Sequence, residues 1–324
     1  MLQVEILSIP NFYSSYYLLG FNNSFKLKYS PEKEFEKFNN RGFIIFRCEG
    51  KIGVIDNHDP VGVNQELYQV ADLYFATNKL LDQDSYNQPK VKPLFPHYPV
   101  NILPLYLRFF GFDLIRKLSP KDLAREIYVL RSRPKFVREG DRYKHGNYVF
   151  FSGSTWKKEP WANKIRAEFI RACKQHPEIE FEGGFIPRSD GDNFGFDDEL
   201  NKVKYPPKKF SELSAKSLVS LNNPAVLGAV SWRLAEYWNF SSFVLSFPFA
   251  IDLPVFPIHE ENIHFIDNST EYKSVLDKVL HNPEYHEQVS KGGKAYFDKY
   301  CTPEAQAKYV IESLINGIPK GMVG

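Results

Sequence analysis

The chain has 324 residues, of which 43% are hydrophobic and 25% are charged, and its net charge at pH 7 is +2. This length suits two domains of ordinary size, and the composition is typical of a globular protein rather than a disordered or fibrous one. A net charge this small gives no reason to expect a nucleic-acid partner.

The cysteines and the N-terminus indicate a cellular compartment. Cys48, Cys173 and Cys301 lie far apart in the chain. An odd number of scattered cysteines favours reduced thiols in a cytosolic protein over a disulfide framework or a zinc site. The opening MLQVEILSIPNF lacks the basic region and the apolar run of a signal peptide. No segment approaches the roughly 20 apolar residues that a membrane span needs. We therefore predict a cytoplasmic protein.

The first predicted elements are strands. The runs LQVEILSI, GFIIFRC and KIGVID are strand-like. The last two flank Glu49 and Gly50, which indicates either a hairpin or two consecutive strands. The following stretch, NQELYQVADLYFATNKLL, has Leu67, Val70 and Leu73 at helical spacing, so it is predicted to be a helix.

The aromatic stretch NILPLYLRFFGFDLIRKL spans residues 101–118 and is interrupted by Arg108 and Asp113. The favoured interpretation is a helix packed in the core. The alternative is a surface helix that contacts a membrane, at its inner face, or a lipid-linked substrate. The next helix, SPKDLAREIYVLRSRP, is predicted to begin with Ser119 as its N-cap and to end before Pro134.

A charged run, residues 135–146, is the best linker candidate. Strands and helices then alternate up to a final helix capped by Thr302, which predicts an open, mostly parallel sheet covered by helices. The predicted fold class is α/β, with two Rossmann-like domains and a cleft between them. The predicted domains are residues 1–140, on the acceptor side, and 141–324, with the last helix a candidate to cross back. Function is then expected at the strand-to-helix loops.

The first such loop is FFSGSTWKKEPWANKIR, which contains Gly153, Ser154, Thr155, Lys157 and Arg166. Glycine lets a ligand approach the backbone, and hydroxyls, backbone N–H groups and a helix N-terminus suit anionic oxygens. The loop is therefore suited to a diphosphate. The classical nucleotide motifs are absent, so an ordinary polar loop explains it equally well.

The second loop leads into SWRLAEYWNF, where Ser231 is a candidate cap and Arg233 lies in the first helical turn. A cation at this end of a helix is disfavoured by the macrodipole, unless an anion binds there too. The alternative is an exposed Arg233 that pairs with Glu236, three residues further on. The conflict with the dipole favours an anion site.

The third loop, GVIDNHDPVG, places Asp56, His58 and Asp59 at a strand end. Such a group could supply the general base that deprotonates a hydroxyl, although Asp and Asn are also common turn residues. The spacing does not suit a metal. Further on, Glu261 lies on a loop where a carboxylate could bind ribose hydroxyls.

The sequence from 148 to 309 resembles the carboxyl-terminal half of the GT-B glycosyltransferases. The closest resemblance is to the protein O-glucosyltransferase (capsule-associated) and exostosin-like groups. It rests on FFSGSTWKKEPWANKIR, on SLNNPAVLGAVSWRLAEYWNFSSFVLSF and on the segment that follows. The resemblance implies that Gly153, Ser154, Arg166, Ser231 and Arg233 contact the diphosphate of a nucleotide-sugar donor. The junction WNFSSFVL departs from the Cys-Gly or Ala-Gly turn usual in this family.

The resulting prediction is a glycosyltransferase that moves a sugar from a nucleotide sugar to a glycan, polysaccharide or lipid-linked acceptor. The arginines are expected to stabilise the leaving diphosphate without a metal, and no other cofactor is expected. Inverting and retaining transfer both remain open. The alternatives are a non-catalytic two-domain receptor for a sugar or nucleotide, and another nucleotide-sugar enzyme such as an epimerase.

Overall fold

The computed structural model describes residues 2–140 and 143–317. Its strands are β1 (Gln3–Ile6), β2 (Lys26–Tyr29), β3 (Phe43–Cys48), β4 (Lys51–Asp56), β5 (Leu73–Ala76), β6 (Val91–Pro93), β7 (Tyr148–Ser154), β8 (Glu180–Ile186), β9 (Val219–Asn222), β10 (Phe243–Ser246) and β11 (His264–Phe265). Its helices are α1 (Ser15–Ser24), α2 (Gln65–Val70), α3 (Leu103–Phe110), α4 (Asp113–Lys117), α5 (Pro120–Ser132), α6 (Pro160–Gln175), α7 (Pro207–Ser214), α8 (Arg233–Asn239), α9 (Tyr272–His281), α10 (Pro283–Tyr296) and α11 (Pro303–Asn316).

The chain folds into two compact α/β units, as the sequence predicts. The first contains the chain up to Val137, the segment Ala250–Phe256 and the chain from Lys299 onwards. The second contains Arg138–Phe249 and Pro257–Asp298. The final helix, α11, therefore belongs to the first unit. The domain boundary predicted between residues 140 and 141 adjoins residues 141 and 142, which lie outside the described residues.

The first unit is built on a six-stranded sheet of order β2-β1-β3-β4-β5-β6. The β3–β4 pair is an antiparallel hairpin, and β4, β5 and β6 run parallel. Glu49 and Gly50 turn the hairpin with φ values of 48° and 75°. Consecutive positive φ values match the right-handed twist of the two strands, and glycine adopts them without strain. The strand β4 delivers Asp56 to the edge where the parallel strands end.

The stretch after β4 departs from the prediction of one helix. Helix α2 ends at Val70, and β5 begins three residues later, at Leu73. Ala71, which follows the helix, is extended, with φ −76° and ψ 141°. Tyr74 and Phe75 are fully buried in β5. Burying these two aromatic side chains in the sheet outweighs the helical spacing, because propensity is a weak prior beside tertiary packing.

The aromatic stretch is also not a single helix. It forms α3 and α4, separated by Gly111, whose φ of 51° is in the left-handed region. Beyond it, α5 begins as predicted, with the Ser119 side chain accepting a hydrogen bond from Asp122 N. At α11, the predicted cap Thr302 accepts a hydrogen bond from Ala305 N.

The second unit is a parallel α/β arrangement. One sheet pairs β7 with β8, and the other has the order β11-β10-β9, with all pairs parallel. The two sheets adjoin through β7 and β9, since Leu218 N donates to Tyr148 O at 2.7 Å. The strand order is therefore β8-β7-β9-β10-β11. The chain moves outward from β7 to β8 and then returns to the other side of β7, so the order reverses between β7 and β9.

The core of the second unit lies between this sheet and its helices. Buried residues of β7, α6, β10 and α9 form one cluster, with Phe169, Phe243 and Leu276 fully buried. Helix α8 is shorter than predicted, because it begins at Arg233 and has only seven residues. In the described parts of the chain, no helix combines the length and the apolar character needed to cross a bilayer.

Candidate functional site

The loop from β7 to α6 lies at the point where the strand order of the second unit reverses. It is held to helix α6 by one side chain, because Asn163 Oδ1 accepts a hydrogen bond from Trp156 N at 2.9 Å. Asn163 Nδ2 returns one to Trp156 O at 2.8 Å. These two hydrogen bonds hold the loop that carries the predicted diphosphate residues against the first turns of α6. Open α/β sheets bind their ligands at such a reversal, outside the carboxyl ends of the strands.

Arg166 lies directly beneath this loop and is only 1% exposed. Its guanidinium donates to Ser154 O at 2.9 Å and to Ala162 O at 2.7 Å. The group also lies 4.0 Å from the Trp156 ring centroid. Burial lowers its pKa to about 10, so it remains a cation at neutral pH. Among the described residues, no carboxylate forms an ion pair with it.

Gly153 has no structural reason to be glycine. Its φ is not in the left-handed region, and a Cβ atom there would meet nothing closer than Phe151 Cζ at 3.6 Å. The next group would be Arg166 Nη1, at 3.8 Å. A glycine inside a strand weakens it and often marks a place where a ligand approaches the backbone. A Cβ atom at Gly153 would thus make only ordinary van der Waals contacts, one of them with the guanidinium of Arg166.

The loop after β8 adds polar groups to the same edge. Asp190 accepts from both Arg188, at 2.6 Å, and Lys157, at 3.0 Å. These two cations hold the pKa of Asp190 well below its usual range. Arg188 also donates to Thr155 O at 3.1 Å. The hydroxyl of Thr155 is buried and has no hydrogen-bond partner among the described residues. The predicted residues Thr155 and Lys157 therefore lie in one network.

Loops after β9 and β10 meet the same loop. Glu159 Oε1 accepts from Leu227 N at 2.9 Å, which joins the loops after β7 and β9. Trp161 contacts Phe247, after β10, with ring centroids 5.5 Å apart. At the end of β9, Asn222 Oδ1 is buried and accepts no hydrogen bond within the part of the chain that the structure describes. The loops that follow β7, β8, β9 and β10 therefore meet at the carboxyl edge of this sheet.

Arg233 makes the contact that the alternative interpretation predicted. Its guanidinium pairs with Glu236 and lies 3.8 Å from the Phe210 ring centroid. Glu236 is buried and also accepts from Ser211 Oγ at 2.6 Å. Ser231 precedes α8, and its hydroxyl accepts from Arg233 N at 3.3 Å. Because α8 has only two turns, its dipole contributes less than the sequence argument assumed. Diphosphate binding by Ser231 and Arg233 stays a prediction.

Glu261 is exposed, and its backbone forms a turn through Glu261 N and Ile258 O, 3.1 Å apart. Its role at a ribose stays a prediction. Next to it, His259, Glu260 and His264 place their ligand atoms within 4.8 Å of one another. Several contacts already occupy this group, among them hydrogen bonds of Tyr285 OH with Glu260 and His264. His259 Nδ1 accepts from Phe265 N at 3.0 Å, and Lys278 Nζ lies 2.7 Å from Glu260 Oε1. A metal ion would have to displace the lysine cation and change the tautomer of His259.

In the first unit, the structure brings two of the predicted catalytic residues into direct contact. Asp56 Oδ1 accepts from His58 Nδ1 at 2.7 Å, and Asp56 Oδ2 accepts from Tyr74 OH. Because a carboxylate only accepts, Nδ1 carries the imidazole proton. His58 Nε2 then carries the lone pair of the ring, which accepts a long hydrogen bond from Gly42 N, at 3.3 Å. Asp59 is exposed, and its carboxylate has no partner among the described residues.

Sequence reasoning missed the residues that support these side chains. Tyr74 lies in the stretch predicted as helix, so its contact with Asp56 was not foreseen. Gly42 gave no local signal, although a Cβ atom there would lie 2.9 Å from His58 Cε1. Trp156 and Asn163 were within the quoted loop. Their roles depend on the point where the strand order of the second unit reverses, which the sequence alone does not locate.

Comparisons with known proteins give distant structural likenesses. No protein-family model matches the chain, and no curated protein sequence matches it either. A glycosyltransferase from Rickettsia africae ESF-5 has a TM-score of 0.46 at 10% identity, covering 80% of this chain and 68% of that one. HepE from Anabaena, in complex with UDP-glucose, has a TM-score of 0.44 at 12% identity, covering 78% and 68%.

A third solved structure matches over nearly the whole chain. It is a putative UDP-N-acetylglucosamine 2-epimerase from Listeria monocytogenes, with a TM-score of 0.41 at 11% identity, covering 99% of this chain and 98% of that one. TM-scores and identities this low assign neither a family nor an activity to the chain. The resemblance to the O-glucosyltransferase and exostosin-like groups therefore stays a prediction.

Proposed function

We propose that the protein is a glycosyltransferase whose second unit binds a nucleoside-diphosphate sugar at the loop between β7 and α6. The observation that carries the proposal is Arg166, a buried cation without a carboxylate partner beneath the Gly153–Ser154–Thr155 backbone. Glu159 lies close enough to act against the effect of burial on the pKa of Arg166, but it forms no ion pair with it among the described residues. A buried cation without an ion-pair partner is costly, and an anion bound at the loop would compensate it. A diphosphate supplies such an anion.

The surroundings of Arg166 support a diphosphate over a single carboxylate. Lys157 is a second cation on the same loop, and its side chain is 61% exposed. The absence of a side chain at Gly153 lets phosphate oxygens approach the backbone next to Arg166 Nη1. We expect Arg233 to keep its pair with Glu236 in the free protein and to share its charge with the bound diphosphate.

In this proposal the cations act when the donor bond breaks. Transfer forms a bond between the acceptor oxygen and C1 of the sugar, and it breaks the bond between C1 and the phosphate oxygen. The nucleoside diphosphate leaves with the electron pair of that bond. Fixed cations stabilise this developing negative charge, which is usually the largest electrostatic contribution to such a step. We infer that the arginines serve here without a metal.

The first unit carries a pair of residues suited to the acceptor. If transfer inverts the anomeric centre, a base must take the proton of the acceptor hydroxyl. His58 fits this role because Asp56 fixes its tautomer and leaves Nε2 with a lone pair. We propose His58 as the base and Asp56 as the residue that orients it. The acceptor proposed is a hydroxyl of a glycan, polysaccharide or lipid-linked sugar.

The test is a thermal-shift panel of nucleoside diphosphates, nucleotide sugars and free sugars. A ligand at 100 times its dissociation constant stabilises a protein by about 2.7 kcal/mol. We expect one nucleoside diphosphate and its sugars to raise Tm, and free sugars to have no effect. Lys157→Ala should weaken the shift, whereas Lys164→Ala should not, because Lys164 is a similarly exposed lysine on α6 that pairs with Glu168.

Other outcomes reject parts of the proposal. If only free sugars stabilise the folded protein, the chain is a sugar receptor. If a nucleotide sugar is converted without an acceptor and without release of the nucleoside diphosphate, it is an epimerase-type enzyme. If no ligand of the panel shifts Tm, the β7–α6 loop is not a nucleotide site.

A further inference from the structure

We propose that the corner between α3 and α4, residues 107–116, docks onto a membrane surface that contains anionic lipids. Three large apolar side chains are exposed within nine residues of this corner. Phe112 is 73% exposed, Ile115 is 65% exposed and Leu107 is 41% exposed. Scattered single apolar residues are normal on a protein surface, but a cluster of this kind usually marks an interaction site.

The corner is anchored, so its exposed side chains do not belong to a loosely packed segment. Tyr106 and Phe110 of α3 are buried, with rings 4.9 Å apart. Leu114 of α4 is buried as well. The left-handed conformation of Gly111 turns the chain between the two helices. The core side chains fix both helices, while Leu107, Phe112 and Ile115 remain exposed on the surface that the described residues form.

The charges around the corner suit an anionic surface. Two exposed arginines, Arg108 and Arg116, lie within it, and α5 adds three more exposed cations: Lys121, Arg125 and Arg131. The acidic residues of the same region are already engaged. Asp113 pairs with Lys117 at 3.7 Å, Asp122 accepts from Ser119 Oγ at 2.7 Å, and Glu126 is buried. Basic residues that surround an apolar tip are the usual pattern of proteins that lie on anionic membranes.

Charge also decides against a second copy of this chain as the occupant. A twofold contact would place the same patch against itself, so that Arg108 and Arg116 would face the arginines of the other copy. Like charges across an interface oppose association. Phospholipid headgroups supply the opposite charge, and the interfacial region accepts Phe and Ile side chains without a spanning helix. The inference rests on the surface of the first unit alone and does not depend on the proposed function.

The experiment is co-sedimentation of the full chain with two kinds of vesicle. One kind contains phosphatidylcholine alone, and the other also contains about 30% phosphatidylglycerol. We expect at least about tenfold stronger binding to the anionic vesicles, with binding that weakens as salt is raised. Phe112→Ser with Ile115→Ser should reduce this binding by about tenfold or more. Arg108→Gln with Arg116→Gln should reduce it as well.

The matched control is Val61→Ser, an apolar residue that is 72% exposed in the first unit and lies outside the corner. It should leave vesicle binding unchanged, and circular dichroism should show that all variants are folded. Equal binding by wild type and by the Phe112/Ile115 variant would overturn the proposal, as would no binding to anionic vesicles at low salt. Self-association without vesicles that the same variant abolishes would instead assign the corner to a second copy.

Discussion

Arg166 and Arg233 show how differently two arginines predicted for one site can be placed. The resemblance to the GT-B glycosyltransferases implies that both contact the same diphosphate. In the structure Arg233 has a carboxylate partner, Glu236, whereas Arg166 is buried under the loop and donates to backbone carbonyls. The cation that forms no ion pair among the described residues is therefore the one beneath the Gly153 loop. A bound anion would change the electrostatic balance of Arg166 more than that of Arg233.

At the same scale, the pair Asp56 and His58 makes a prediction about turnover. His58→Gln should lower kcat by about 10²–10⁴ if transfer inverts, because it removes the proposed base. Asp56→Asn should lower it too, because an amide N–H facing Nδ1 favours the wrong tautomer of His58. The KM for the donor should change little. Release of nucleoside diphosphate in the presence of acceptor measures both values.

The controls for this prediction are two further variants. His281→Gln changes an exposed histidine of the second unit and should have wild-type turnover. Asp59→Asn tests the competing carboxylate, which is exposed and has no hydrogen bond or ion pair among the described residues. If Asp59→Asn abolishes turnover and His58→Gln does not, Asp59 is the base. Full turnover in all of these variants would fit a retaining transfer that needs no such base.

At the scale of the elements, helices with clear end signals were the most predictable. Ser119 and Thr302 cap α5 and α11 as the sequence indicates, since a hydroxyl before a helix satisfies a backbone N–H of its first turn. The stretch from Asn64 to Leu81 was predicted as one helix, but its helical part ends at Val70 and a strand follows at Leu73. Its spacing fits a helix, but Tyr74 and Phe75 fill the core of a sheet whose other strands are distant in sequence. Local periodicity carries no information about that packing.

Helix α5 supports a prediction about stability and pH. Glu126 is buried and accepts from Phe12 N at 2.7 Å, and burial raises its pKa from 4.5 to about 7. Between these values the folded chain keeps a proton that the unfolded chain loses. The stabilisation that protonated Glu126 gives to the fold is therefore complete below pH 4.5 and is lost as the pH rises to about 7. Glu126→Gln should be more stable than wild type at pH 8, by about 1–3 kcal/mol, and similar to it at pH 4.5.

Denaturant unfolding at the two pH values measures this difference. Gln can still accept the hydrogen bond from Phe12 N but does not titrate. Glu312→Gln is the matched control, because Glu312 is exposed on α11, in the same unit. Glu312→Gln should change the free energy of unfolding by the same small amount at both pH values. If Glu126→Gln is more stable than wild type by the same amount at pH 4.5 and at pH 8, the charge of Glu126 is not the cause of the difference.

At the scale of the whole molecule, the alternation of strands and helices was enough to predict two α/β units. The sequence left open whether α11 returns to the first unit, because no local pattern indicates where a terminal helix packs. The grouping of Gly153, Thr155 and Lys157 was predictable, because they share one loop. Their assembly with Asp190 and Leu227 was not, because it depends on the strand order β8-β7-β9.

The most direct test of the account is the affinity of the whole chain for the nucleoside diphosphate that gives the largest thermal shift, measured by calorimetry for wild type, Gly153→Ala and Gly146→Ala. A Cβ atom at Gly153 would clash with nothing in the fold, and neither would one at Gly146, which lies just before β7. Both variants should therefore be as stable as wild type. The account predicts that Gly153→Ala weakens binding by about tenfold or more, since a methyl group would occupy the approach to Arg166, and that Gly146→Ala binds normally. Wild-type affinity in Gly153→Ala would contradict the claim that this loop holds a diphosphate.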